Sequence, residues 1–280
     1  MLSDYKEWFR EFYRGVDEYV SSNVRPGKIG HGETACTGNL LMCLDAAAPP
    51  AYLPYNAQMF CSYLSAALRE REIEEGFQLT LNAHGFNQNH EGVITQSDYA
   101  IRLTRWDNRE NNKTKPSSSV YFFQAKIMRP DGSYRVDTKQ DQKIRTLREF
   151  IGQRHLSYLL YGPLHHNGGM WLTIHPNQTP FESWVDFMTE WATDSFDEGE
   201  PDPEQDWLRN ALLDNNPEAN DHIAEQLGTT NQTWTTYKPA VIEIALAYPE
   251  YKPKYKPVYT PATYGGMMGG NTADTTEEDD

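Results

Sequence analysis

Apolar side chains recur at intervals of three and four residues through the first part of the chain. In the segment 4–20 they are Trp8, Phe9, Phe12, Tyr13, Val16, Tyr19 and Val20. This spacing places the apolar residues on one face of a helix. Similar patterns predict a second helix from Glu33 through Leu44 and a third from Asn56 to about Glu74. The beginning of the chain is therefore predicted to be helical.

The apolar period changes to two residues after Phe77. Apolar and polar residues alternate from Phe77 to Leu81 and again from Tyr99 to Leu103, which predicts two strands. A third strand is predicted at 120–128, whose sequence is VYFFQAKIM. A threonine-capped helix in DTKQDQKIRTLREF and the strands HLSYLLYGP and MWLTIHP follow. This order of elements predicts an α/β fold with a mixed central sheet flanked by helices.

The chain changes character again at Phe181. FESWVDFMTEWA, EQDWLRNALL and ANDHIAEQL have helical spacing, and an apolar piece, PAVIEIALAY, ends this region. We expect an N-terminal helix (1–30), a central core (31–180), an acidic, mostly helical C-terminal appendage (181–250) and a disordered tail (251–280). The tail is assigned by its prolines, glycines and acidic end.

Charge is distributed unevenly along the chain. The net charge of −15 disfavours nucleic-acid binding by the molecule as a whole. From Glu91 to Leu160, however, thirteen basic residues face eight acidic ones, whereas Phe181 to Asp206 holds ten acidic residues and no Lys or Arg. The middle of the chain is thus a candidate working surface. The acidic run is either a solvated face or a mimic of nucleic acid.

The three cysteines, Cys36, Cys43 and Cys61, form no C-x-x-C pair, which argues against a disulfide framework or a zinc site. The first residues contain acids and aromatics instead of a basic start followed by an apolar stretch. No apolar run approaches membrane-spanning length. We therefore expect a cytoplasmic protein without membrane contact.

A glutamine and a lysine interrupt the apolar third strand. Gln124 and Lys126 point to the same face of a strand, and burying both is costly unless something binds them. Asp98, at the start of the neighbouring strand, is placed to converge with them. The carboxylate of Asp98, the amide oxygen of Gln124 and the carbonyl of Ala125 are hard ligands that suit Mg²⁺ or Mn²⁺. Lys126 would then orient a water and offset phosphate charge. The alternative is an edge strand whose polar pair faces water.

These elements and residues resemble the PD-(D/E)XK, or restriction-endonuclease-like, nuclease superfamily. The similarity is closest to its QxK, Mrr-like branch, which includes nucleases of bacterial antiphage defence. It covers residues 30–165 and rests on EGVITQSDYAIRL with Glu91 and Asp98, on QAK in the third strand, and on SYLLYGP. The helix after QAK often carries glutamines in this branch, here Gln140 and Gln142.

The resemblance implies a restriction-endonuclease-like fold and Mg²⁺- or Mn²⁺-dependent hydrolysis of DNA phosphodiester bonds, with Asp98, Gln124, Lys126 and Glu33 as site residues. Metal ligands would be Asp98, Gln124, Ala125 and, on the first core helix, Glu33. Glu33 is equally well explained as an acid at a helix start. DNA is the expected partner, with a homo-oligomer or a companion defence protein beside it. Two alternatives remain: a non-catalytic subunit with a nuclease-like fold that serves as an assembly platform, and an acidic inhibitor that mimics DNA.

Overall fold

The computed structural model describes ten segments of the chain. They are residues 2–24, 32–45, 56–70, 77–86, 91–107, 117–162, 169–176, 181–193, 202–229 and 240–245. The expected disordered tail at 251–280 and the predicted end of the third helix at Glu74 lie outside these residues.

Seven α-helices occur in the described segments. They are α1 (Lys6–Ser22), α2 (Glu33–Leu44), α3 (Ala57–Glu70), α4 (Thr138–Ile151), α5 (Trp184–Ala192), α6 (Pro203–Leu213) and α7 (Pro217–Gln226). Two short 3₁₀ helices, Leu2–Tyr5 and Gln153–His155, and a π-helical turn, Glu91–Thr95, accompany them. The first three helices lie where the apolar spacing predicted them.

Seven strands of the described chain join in one sheet. They are β1 (Phe77–Gly85), β2 (Tyr99–Asp107), β3 (Ser117–Ile127), β4 (Leu156–Tyr161), β5 (Met170–Thr173), β6 (Glu182–Ser183) and β7 (Ala240–Ala245). Their spatial order is β6-β5-β4-β3-β2-β1-β7. β3 and β4 run parallel, and α4 connects them; the other neighbouring strands are antiparallel. The predicted α/β fold with a mixed sheet is confirmed.

Helices cover both faces of this sheet, which is why its central strand is apolar on both sides. On β3, Tyr121, Phe123 and Ala125 enter a core shared with α1, α2, α3 and α5. The alternate residues Val120 and Phe122 enter a second core shared with α4, α6 and α7. The molecule therefore has a helix–sheet–helix arrangement, and β3 lies at its centre.

The start of α4 differs from the sequence prediction. The helix is capped by Asp137, whose Oδ1 accepts hydrogen bonds from the N–H groups of Lys139 and Gln140, and Thr138 is its first residue. An aspartate cap satisfies N–H groups that have no partner inside the helix, and its negative charge suits the helix N-terminus. The expectation of a threonine cap is corrected accordingly.

The C-terminal region, expected as an appendage, packs against the rest of the chain in its described residues. In the described residues after 181, α5 contributes Trp184 and Trp191 to the first core, and α6 and α7 contribute Leu212 and Ile223 to the second. β6 pairs with β5, and β7 pairs with β1 at the opposite edge of the sheet. Among the described helix residues of this region, the exposed acids are Asp186, Glu204, Glu218, Asp221 and Glu225, while the spaced apolar residues are buried. These helices complete the layers of the fold.

The helices in the described part of the chain include none whose length and apolar content would allow it to cross a membrane.

Candidate functional site

The backbone of Asp98 is held between the end of β1 and the middle of β3. Its N–H donates to the carbonyl of Phe123 at 2.9 Å, and its own carbonyl accepts from the N–H of Phe86 at 2.9 Å. Tyr99, the first residue of β2, is opposite Phe123 in the ladder. Because neighbouring residues in paired strands follow this register, Asp98 lies beside Gln124.

The carboxylate of Asp98 contacts two of the predicted site residues. Its Oδ2 accepts hydrogen bonds from Gln124 Nε2 at 2.6 Å and from the N–H of Ala125 at 2.7 Å. Ala125 thus contacts Asp98 through its N–H group, whereas its carbonyl is the predicted metal ligand. The structure brings Asp98, Gln124 and Ala125 together where β2 begins, near the end of β3.

Lys126 contacts Glu33, the remaining predicted site residue. Its Nζ donates to Glu33 Oε2 at 3.2 Å; the Lys126 side chain is 11% exposed and that of Glu33 40% exposed. Glu33 is the first residue of α2, so this ion pair joins the helix start to the end of β3. A hydrogen bond of 3.0 Å between Thr37 and Tyr161 fixes the next turn of α2 against β4. The ion pair with Lys126 and the contact of Thr37 with Tyr161 therefore both keep the start of α2 beside the end of β3.

Two further polar residues reach Gln124. Gln140, in the first turn of α4, donates from Nε2 to Gln124 Oε1 at 3.0 Å. Glu91, at the start of the π-helical turn, accepts from Gln124 Nε2 at 3.5 Å. Both residues belong to the stretches on which the family resemblance rests, but neither is among the predicted site residues. The signal for Gln140 is topological: α4 follows β3 directly, so its first turn lies near the end of that strand.

Secondary contacts fix the elements that carry these groups. Asp141, one residue after Gln140, accepts a hydrogen bond from the hydroxyl of Tyr158 at 2.8 Å. Tyr158 is the β4 residue paired with Gln124. On the other side, Lys143 donates to the carbonyl of Gly92 at 3.3 Å and so ties α4 to the turn that carries Glu91. The position of α4 is thereby coupled to the positions of both Gln124 and Glu91.

The carboxylates of the site are strained electrostatically. Burial, reinforced by the neighbouring Glu91 charge, raises the pKa of Asp98 to about 7, although the Ala125 N–H and Lys126 oppose the rise. Burial also raises the pKa of Glu91, against the hydrogen bond from Gln124 and the charge of Lys126. Both shifts mean that the site disfavours two ionised carboxylates in the absence of additional positive charge.

The fit of this site to a divalent cation is partial. In the part of the chain that the structure describes, no three Asp, Glu, His or Cys side chains are arranged to hold a metal ion as a group. Asp98 and Glu91 nevertheless share the same donor nitrogen of Gln124, so this nitrogen occupies a position between two carboxylates. Rotation of the amide by half a turn would place Gln124 Oε1 there instead. The donor set would then be two carboxylates and an amide oxygen, which suits Mg²⁺ or Mn²⁺.

The arrangement can serve phosphate chemistry. The carboxylates of Asp98 and Glu91 and the amide oxygen of Gln124 can hold a hard cation. The ammonium group of Lys126, which lies 3.2 Å from Glu33, follows Gln124 by two residues on the same strand and can offset negative charge on a phosphate.

Comparison of the chain with protein-family models, with curated proteins and with solved structures found no match.

Proposed function

We propose that this protein is a divalent-metal-dependent hydrolase of nucleic-acid phosphodiester bonds, with DNA as its substrate and a restriction-endonuclease-like fold. The observation that carries the proposal is the convergence of Asp98, Gln124 and Lys126 at one end of β2 and β3. The order of elements supports it, because a helix, a three-strand antiparallel meander, a crossover helix and a parallel strand match the order on which the sequence resemblance rests. A role as the effector of an antiphage defence system follows from that resemblance alone.

Each residue has a distinct role in this proposal. Asp98 and Glu91 provide carboxylate oxygens, and Gln124 provides its amide oxygen after the rotation described above. Gln140 now donates to Gln124 Oε1 and so holds Gln124 Nε2 toward the carboxylates. The rotation of Gln124 therefore requires the amide of Gln140 to turn as well, so that its oxygen accepts from Gln124 Nε2. When bound, Mg²⁺ or Mn²⁺ supplies Lewis-acid stabilisation of the charge on the phosphate.

Lys126 acts on the phosphate and on the attacking water. Its ammonium group offsets negative charge that develops on the phosphate oxygens and donates a hydrogen bond that orients the water. Glu33 accepts a hydrogen bond from Lys126 and holds Nζ in place. Ala125, through the hydrogen bond from its N–H, fixes the Asp98 carboxylate against β3.

A plasmid-nicking assay tests the proposal. Supercoiled DNA is incubated with the purified protein in Mg²⁺, Mn²⁺ or EDTA, and the wild type is compared with Asp98→Asn and Lys126→Ala. We expect both variants to cut on the order of a hundredfold more slowly, since each removes a group that stabilises the transition state. Asp221→Asn, an exposed aspartate on α7, is the matched control and should cut like the wild type.

Two outcomes would contradict the proposal: equal nicking by all four proteins, or no cleavage of DNA or RNA by well-folded wild type in any metal. Calorimetric titration with Mn²⁺ provides a readout that does not depend on activity. Binding to the wild type and its loss in Asp98→Asn are expected.

The second candidate is a non-catalytic subunit in which the same fold serves as an assembly platform. The observation that favours it is the saturated hydrogen bonding of Asp98 Oδ2, together with the lack of a three-ligand acidic cluster among the described residues. This candidate predicts no Mn²⁺ binding in the titration and a defined oligomer by light scattering.

A further inference from the structure

The connection between β3 and α4 begins and ends beside the site. It leaves β3 just after Lys126, and α4 returns so that Gln140 contacts Gln124. Arg129 is three residues after Lys126, and three residues of extended chain span about 10 Å at most. Lys139 directly precedes Gln140. Both ends of this connection therefore lie close to the proposed catalytic groups.

Three cations of this connection face solvent without an ion-pair partner. Arg129, Arg135 and Lys139 are exposed, and within the described chain none of the three forms a salt bridge. Arg129 lies near Asp131, whose pKa it helps to lower, but its guanidinium makes no ion pair there. We call these three residues the basic rim. Arg145, further along α4, differs because it is paired with Asp141 at 2.8 Å.

The carboxylates of the same segment accept hydrogen bonds from nearby groups. Asp131 Oδ1 accepts from the N–H of Ser133 at 2.9 Å and from its hydroxyl at 2.7 Å. Asp137 caps α4, and Asp141 accepts from Tyr158. Each acid is thus engaged by a hydrogen bond, although Asp131 and Asp137 are exposed. The segment from Arg129 to Lys139 has three cations and two acids, a net charge of +1.

The basic rim is unusual on a molecule with a net charge of −15. On α6, α7 and their flanking residues, the exposed acids are Asp202, Glu204, Asp214, Glu218, Asp221 and Glu225. A polyanion is repelled by such a surface and attracted to the rim. A phosphate chain can therefore approach the site over the rim with more favourable charge than over α6 and α7.

We infer that Arg129, Arg135 and Lys139 form a docking surface for the phosphate backbone of nucleic acid and guide it toward Lys126. This inference rests on the proposed function and assigns the nucleic-acid contact to one side of the site. The contacts are to phosphates, so they give affinity and position the strand without reading base sequence.

Fluorescence anisotropy with a short labelled DNA duplex in EDTA tests the inference without cleavage. The variant Arg129→Gln/Arg135→Gln/Lys139→Gln should bind roughly tenfold or more weakly than the wild type at moderate salt. The slope of log K against log salt should become shallower by about three, since each lost phosphate contact contributes roughly 0.9. A labelled RNA of equal length, run in parallel, distinguishes the two sources of the same backbone chemistry.

The matched control is Lys6→Gln/Arg14→Gln/Arg154→Gln, which changes the net charge by the same amount. Lys6 and Arg14 belong to α1, on the other face of the sheet, and Arg154 precedes the start of β4, at the end away from Lys126. This control should bind both probes within about twofold of the wild type. Equal weakening of the two triple variants, or unchanged binding by the rim variant, would overturn the inference.

Failure of the inference and failure of the proposed function give different results. If the rim variant binds and nicks DNA like the wild type while Lys126→Ala is inactive, the docking surface is wrong and the nuclease remains. If binding depends on the rim but Asp98→Asn does not alter cleavage, the docking surface stands and the proposed chemistry is wrong.

Discussion

Gln124 is the residue that joins the separate parts of the site. Its side chain is buried, with 1% of the residue exposed, and both ends of its amide are engaged. Nε2 lies between the carboxylates of Asp98 and Glu91, and Oε1 accepts from Gln140. A neutral donor at this point separates two acids whose pKa values are already raised. The glutamine therefore allows two carboxylates to lie close together by donating hydrogen bonds to both.

Replacing Gln124 with Glu should destabilise the metal-free protein and increase its stabilisation by a bound metal ion. A third carboxylate beside Asp98 and Glu91 adds repulsion and removes the bridging N–H donor, so we expect the melting temperature in EDTA to fall by about 5 °C. The added ligand charge should increase the rise in melting temperature caused by Mg²⁺ or Mn²⁺. Thermal denaturation with and without metal measures both changes.

Gln142→Glu is the matched control for this prediction. Gln142 is exposed on α4, so the same change in charge should alter neither melting temperature by much. A Gln124→Glu protein as stable in EDTA as the wild type and without added response to metal would contradict the placement of Gln124 between two ionisable acids.

The sequence was sufficient to place some of these residues together but not all of them. Asp98 and Gln124 could be predicted as neighbours because strand alternation and the pairing of consecutive strands determine which side chains meet. Gln140 and Glu91 could not, because their positions depend on the angle at which α4 returns to the sheet and on a π-helical turn. Neither of these features has a strong local signal.

Helices and strands differ in how well the local sequence predicts them. Helices with a clear three- and four-residue spacing, such as α1, were predicted nearly to their ends. The segment 240–245 lies in the region predicted to be mostly helical, although it forms the edge strand β7. A short apolar run fits either state, and pairing with β1 determines the outcome. The acidic composition near α6 also concealed a buried apolar stripe.

A partly buried carboxylate connects α1 to the sheet. Asp17 Oδ1 accepts from the N–H of Met170, the first residue of β5, at 2.7 Å and from the hydroxyl of Ser21 at 3.0 Å. Burial raises the pKa of Asp17 to about 6, and the nearby Glu18 adds to this effect, while the two hydrogen bonds oppose it. The connection therefore includes a carboxylate that is costly to ionise.

The free energy of unfolding of Asp17→Asn should increase relative to that of the wild type as the pH rises. Because the pKa of Asp17 is higher in the folded state, the folded protein retains a proton that the unfolded chain releases between about pH 4 and pH 6. The free energy of unfolding of the wild type therefore falls over this range. The asparagine of the variant does not titrate, and its Oδ1 can accept both hydrogen bonds. The gap between variant and wild type should grow by about 2 kcal/mol, allowing for partial exposure of Asp17.

Urea denaturation near pH 4 and near pH 7 measures this difference. Glu11→Gln, at an exposed position of α1, is the control and should show no comparable change with pH. A constant gap between Asp17→Asn and the wild type at both pH values would rule out the buried, proton-holding carboxylate.

At the scale of the whole molecule, the C-terminal helices are attached to the sheet by both apolar and polar contacts. Leu208 and Leu212 of α6 lie in the second core with Phe122 of β3. Arg102 of β2 forms an ion pair of 2.6 Å with Asp214, and Arg209 donates to the carbonyl of Ile151 at 2.7 Å. These contacts link α6 to β2 and to the end of α4. We therefore expect one cooperative unit instead of a core with a separable appendage.

Two substitutions on α6 test this expectation. Leu212 is fully buried, so Leu212→Ala should lower the free energy of unfolding by about 2 to 5 kcal/mol through lost apolar contact and a cavity. Trp207 is 52% exposed, and Trp207→Ala should change it by about 0.5 kcal/mol or less. In urea, circular dichroism and tryptophan fluorescence of Leu212→Ala should shift together with an unchanged denaturant slope, since one transition involves both layers. If the C-terminal helices unfolded independently, the two probes would separate and only one transition would move.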